Sequence, residues 1–178
     1  MGYKMEYKKG HQIFEAGNVV LQSGLTLRGA KLAYQTYGTL NADRLNVILL
    51  MTPFGAQHMD IEWQVGFGRT LDPERYFIVI PNQFGNGMSS SPSNAVAPTT
   101  VAHWPRFTVA DNVRIQRRPM KETFGIDRLK LACDWLMLGM QTNHWAERFP
   151  QRVEHSAVDF HPKLTPFFHL KLTPPTAV

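Results

Sequence analysis

Residues 129–149 read LKLACDWLMLGMQTNHWAERF, and this stretch decides the fold. Its first five residues are apolar except for Lys130, which predicts a strand buried on both faces over 129–133. A helical pattern over 137–149 follows, and Pro150 closes it. Only the turn 134–138, DWLML, separates the two. A strand that feeds so directly into a helix belongs to an α/β sheet with right-handed crossovers.

The same pattern extends upstream. Residues 46–51 (NVILLM) and 76–81 (YFIVIP) are continuous apolar runs, as expected for parallel strands covered on both faces. A polar loop with a short helix near 61–66 joins them. Residues 18–23 (NVVLQS) and 30–37 (AKLAYQTY) alternate apolar and polar positions around Gly24 and Gly29, which predicts an antiparallel opening hairpin. Over 108–124, TVADNVRIQRRPMKETF places Val109, Val113, Met120 and Phe124 at near-helical intervals before Gly125. Pro119 inside that helix should kink or end it, at about 3 kcal/mol where an interior bond is lost. The expected class is α/β: a mostly parallel sheet with flanking helices and an antiparallel first strand.

The final residues, 159–178 (DFHPKLTPFFHLKLTPPTAV), hold four of the twelve prolines and follow neither period. They read as a Pro-rich, poorly ordered tail, unrelated to the domain formed by residues 1–158. A sheet stopped there would expose an edge, which the tail or a second copy of the chain would have to cover. A homo-oligomer through that edge is therefore one expectation.

Composition narrows the function classes. The chain has 178 residues, 43% hydrophobic and 19% charged, which suits one globular domain. There is no run of eighteen apolar residues and no apolar N-terminal stretch, so neither membrane insertion nor secretion is expected and the default compartment is the cytoplasm. A single cysteine, Cys133, excludes an internal disulfide framework and a thiolate zinc site. The net charge of +5 is spread out. Its densest cluster, Arg114, Arg117, Arg118 and Lys121, has helical spacing and reads as a solvated helix face, so no nucleic-acid partner is expected.

Several residues were weighed for chemistry. Cys133 ends an apolar strand and reads as a small buried hydrophobe. Ser89, Ser90 and Ser91 occupy a Gly/Ser/Pro loop and read as turn formers. His58, Asp60 and Glu62 in QHMDIEW are crowded enough to suggest a metal or an acid-base pair, although no metal and no cofactor is expected. His144 reads as a packing residue on the helix after the turn.

Four segments together carry a resemblance: YQTYGTLNADR, DIEWQVGFGRTLDPERYFIVIPNQFGNGMSSSPSN, FTVADNVRIQRR and KETFGIDRLKLAC. Over residues 12 to 158 the chain resembles the N-terminal half of homoserine O-acetyltransferases and their close α/β-hydrolase relatives. The resemblance implies a nucleophile elbow, Gly-x-Ser-x-Gly, at the turn 134–138. Here Asp134, Leu136 and Leu138 stand at its three defining positions. Leu136 supplies no attacking oxygen, and a bulky side chain tolerates the strained elbow backbone poorly. The oxyanion hole implied by the family would use the backbone N–H of Met137 and one from the loop after the 46–51 strand. Pro53 has no N–H to give; Phe54 has one. The family's later aspartate and histidine have no counterpart, because the flanks of His161 and His169 match no family motif. The resemblance thus implies a truncated, catalytically inactive remnant of the family, with acyl-CoA and a hydroxyl acceptor as the ancestral substrates. The alternatives are an acyltransferase or esterase that uses a non-standard nucleophile, and a non-catalytic binding or dimerisation module.

Overall fold

The computed structural model describes residues 10–95, 103–135, 139–159 and 168–170. Among them a single seven-stranded sheet runs in the order β1-β2-β4-β3-β5-β6-β7. The strands are β1 Gln12–Val20, β2 Thr26–Tyr37, β3 Val47–Met51, β4 Phe77–Pro81, β5 Leu129–Trp135, β6 Val153–Asp159 and β7 Phe168–Leu170. β4, β3, β5 and β6 are mutually parallel, while β1, β2 and β7 run antiparallel to their neighbours. The helices are α1 His58–Ile61, continued by a 3-10 turn over Glu62–Gln64, α2 Val109–Glu122 and α3 Gly139–Arg148.

Every residue of β3 and β4 is buried, as their unbroken apolar runs require. Val47, Leu49, Met51, Phe77 and Val79 pack with Val113 and Met120 of α2 and Trp145 of α3. On the opposite face Ile48, Leu50, Ile78 and Ile80 meet Ile61, Val65 and Leu71 from the segment after β3. Two helices therefore cover one face, and a short helix with its loop covers the other.

Helix α2 starts on a capping box. The Thr108 hydroxyl accepts from the Asp111 N–H at 3.2 Å, and the Asp111 carboxylate accepts from the Thr108 N–H at 3.0 Å. Pro119 does not end the helix as expected: the chain stays helical to Glu122, and the Thr123 N–H donates to the Pro119 carbonyl at 3.0 Å. The proline falls in the last turn, where its missing N–H removes one bond only. Gly125, at φ +64°, then turns the chain so that the Ile126 N–H reaches the Met120 carbonyl at 2.8 Å.

The arginine stripe also departs from expectation. Arg118 donates to the Ala16 carbonyl at 2.6 Å, lies 5.2 Å from the Phe14 ring centroid and pairs with Glu122 at 2.7 Å. Arg114 bonds the Val20 carbonyl and Asp111, and Arg117 lies 4.9 Å from the Phe149 ring centroid. Ala16 falls where β1 slips register against β2, so its carbonyl lies outside the regular ladder and Arg118 satisfies it. Three of the four cations thus tie α2 to the hairpin and to α3.

Other boundaries differ by a few residues. β1 begins at Gln12 rather than Asn18, β2 at Thr26 rather than Ala30, and α3 at Gly139. The helix expected near 61–66 is α1 with its 3-10 continuation. Within the tail, residues 168–170 form β7 on the edge of β6. Residues 160–167 and 171–178, including His161, lie outside the described residues.

Burial predicts a sharp contrast. Leu49→Ala, at a fully buried central position, should lower the unfolding free energy by about 2–5 kcal/mol. Leu25→Ala, at a turn position 57% exposed, should change it by less than about 0.5 kcal/mol. Urea denaturation followed by circular dichroism reads both, and equal shifts would contradict the core described above.

Candidate functional site

β5 leaves the sheet between the C-terminal ends of β3 and β6. Asp134 pairs in register with Met51 on one side and Val158 on the other, and Trp135 pairs with Asp159. α3 begins four residues later at Gly139, so the strand-to-helix turn sits at the carboxyl edge of the sheet. Open α/β sheets place their ligand sites there. The tip residues Leu136, Met137 and Leu138 lie outside the described residues.

A buried polar chain joins α2, α3 and the end of β3. The Trp145 indole N–H donates to Gln116 Oε1 at 3.1 Å, and Gln116 Nε2 donates to Gln141 Oε1 at 2.7 Å. Gln141 Nε2 then donates to the Thr52 carbonyl at 3.3 Å, and Gln83 Nε2 donates to the same oxygen at 3.3 Å. Because an indole can only donate, it fixes the amide orientation at each link. α2, α3 and the end of β3 are locked together through groups that are almost wholly out of water.

The loop after β3 is held by this chain at Thr52 and closes as a turn. The Ala56 N–H donates to the Pro53 carbonyl at 3.1 Å, with Gly55 at φ +75° in the position that favours glycine. That bond leaves the Phe54 N–H outside it, and the Phe54 side chain is 85% exposed. Of the two oxyanion-hole candidates, Phe54 is therefore placed beside the end of β3, and Met137 is outside the described residues.

No family model matches the sequence. Individual proteins do. The chain is 34% identical over 156 residues to ethyl acetate hydrolase of Pseudomonas veronii, a match covering 87% of this chain and 45% of that protein. It is 40% identical over 149 residues to homoserine O-acetyltransferase of Rhodopseudomonas palustris, covering 75% and 37% respectively. The structure of an acetylester hydrolase from Corynebacterium glutamicum superposes with a TM-score of 0.80 at 33% identity, covering 88% of this chain and 46% of that one. The chain is thus similar over most of its length to homoserine O-acyltransferases and esterases, and it has their α/β-hydrolase fold. It spans less than half the length of the relatives it matches.

Within this α/β-hydrolase frame the other candidates are accounted for by their contacts. The Cys133 thiol is partly buried and donates to the Leu49 carbonyl at 3.6 Å. Burial, with the neighbouring Asp134 charge, pushes its pKa up to about 12. Asp134 is itself buried. The Ser89 hydroxyl accepts from the Ala33 N–H at 2.9 Å and donates to the Asn82 carbonyl at 2.5 Å. Ser90 accepts from the Lys31 N–H, and Ser91 donates to the Ser89 carbonyl. Ser89 and Ser90 staple their loop to β2, and Ser91 braces the loop internally. Asp60 caps the Gln57 N–H at 2.8 Å, and Glu62 accepts from the Tyr37 hydroxyl at 2.6 Å. Among the described residues no group of three His, Cys, Asp or Glu side chains is arranged to hold a metal ion. His144 is half-buried on α3.

Sequence reasoning missed Thr52, Gln116 and Gln141. Gln116 had a readable signal, since it falls three residues after Val113 and four before Met120, on the core face of α2. Gln141→Leu should cost about 1–3 kcal/mol, because the Gln116 amide is left buried without its acceptor. Thr142→Val should change stability by less than about 1 kcal/mol, as the buried Thr142 hydroxyl has no hydrogen-bond partner among the described residues. Chemical denaturation of the two variants tests this ordering.

Proposed function

We propose that this chain is an α/β-hydrolase-fold scaffold that does not carry out acyl transfer through an enzyme-bound ester. The observation that carries the reading is Leu136, an aliphatic side chain at the position where the family's elbow places its serine. Removing the catalytic serine of a serine protease lowers turnover by about 10⁶-fold, and the oxyanion donors that remain contribute far less. Asp134 and Leu138 at the glycine positions support the same reading, since side chains there oppose the close strand-to-helix approach.

The replacement nucleophiles are poorly set up. With its pKa pushed up to about 12, Cys133 is thiolate in only about one molecule in 10⁵ at neutral pH. Ser89 and Ser91 are buried and committed to backbone groups. The ligands this scaffold inherits from its relatives are an acyl ester or thioester such as acetyl-CoA and a hydroxyl acceptor such as homoserine. Their support is the relatives' names, ethyl acetate hydrolase and homoserine O-acetyltransferase.

The full chain, incubated with a fluorophosphonate probe and with p-nitrophenyl acetate, should take up no stoichiometric label and release nitrophenol at the background rate. An acyl or phosphonyl adduct located on any residue by mass spectrometry, Cys133 included, would establish the esterase reading instead.

A further inference from the structure

The segment that leaves β3 returns to the sheet at His58, where the Asn82 side chain meets it. Asn82, fully buried just after β4, accepts the His58 backbone N–H at 2.9 Å and the Asn86 side-chain amide at 3.1 Å, both through Oδ1. Its Nδ2 donates to the Ala33 carbonyl at 3.3 Å and lies 3.2 Å from His58 Nδ1. Two donors fix Oδ1, so Nδ2 cannot exchange places with it. His58 Nδ1 must then present a lone pair, and the ring proton sits on Nε2.

We propose that His58 and Asn82 form a pH-operated latch that keeps α1 and its 3-10 turn docked on the sheet when His58 is neutral and releases them when it is protonated. A proton on Nδ1 would point an N–H at the Asn82 NH₂ group, turning an attraction into a clash of donors. The imidazole is only 2% exposed, so the added charge would also be buried. The charged groups facing it among the described residues are His11, with ring centroids 6.1 Å apart, and Asp60 and Glu62 on its own segment. Each carboxylate already accepts a bond elsewhere, from the Gln57 N–H and the Tyr37 hydroxyl. Burial outweighs them and holds the His58 pKa below its ordinary value of 6.5.

The sign follows from linkage. A group whose folded pKa is depressed gives its full stability above the unfolded pKa and loses it as pH falls. The undocked segment therefore takes up a proton below about pH 6.5 that the docked segment refuses. The consequence reaches beyond α1. Trp63 and Gln64 line a cavity of about 270 Å³ shared with Leu50, Leu71, Cys133 and Asp134, so release of the latch removes one wall of it.

Hydrogen exchange of the full chain at pH 7.5, 6.5 and 5.5, corrected for intrinsic rates, tests the latch. Protection over residues 57–65 should fall by up to about tenfold per pH unit below 6.5, while β3 and β4 hold theirs. His58→Gln should flatten the dependence. Asn82→Asp should reverse it, because a carboxylate facing Nδ1 favours the imidazolium, and this reversal remains readable even if the variant is less stable overall. Unchanged protection in the wild type, the same decline in His58→Gln, or a decline rather than a rise in Asn82→Asp would each overturn the proposal.

Discussion

Val47–Met51 and Phe77–Pro81 are shielded from water along their whole length, and much of the remaining architecture answers to that constraint. Apolar side chains satisfy both faces of these strands, but they do nothing for backbone groups where the strands stop. Such groups cost free energy when buried without partners. At the end of β3 the Thr52 carbonyl takes two glutamine amides, and just past β4 the Asn82 side chain fills all of its hydrogen-bonding positions. Polar side chains inside this protein therefore concentrate where parallel strands end.

The same economy organises the hairpin. β1 is a bulged edge strand, and its irregular carbonyls would otherwise face the side of α2. Arginines from α2 reach them, while Ile115 packs with Leu27, Leu32 and Phe84 beneath. Asp111 joins the capping of α2 to the hairpin turn by accepting the Gln22 N–H at 2.9 Å. One helix thus binds the parallel core and the antiparallel opening into a single unit, with charge at the rim and aliphatic packing within.

Much of this was legible in the residues. The runs NVILLM and YFIVIP could only be doubly buried strands, and the short passage from LKLAC to the following helix marked the end of β5 and the start of α3. Less legible was β6, because VEHSAVD mixes polar and apolar residues without a clean period. Helical spacing showed which residues of the arginine stripe share a partly solvated face, not which groups the ends of their side chains meet. Glutamines and asparagines gave little warning either: Gln116 and Asn82 resemble surface residues until the strand ends around them are in view.

Among the described residues β7 pairs with β6 from Ser156 to Val158. Those three pairs occupy the hydrogen-bonding edge that another strand alongside β6 would need. An incoming polypeptide would therefore meet a small incumbent rather than open ground.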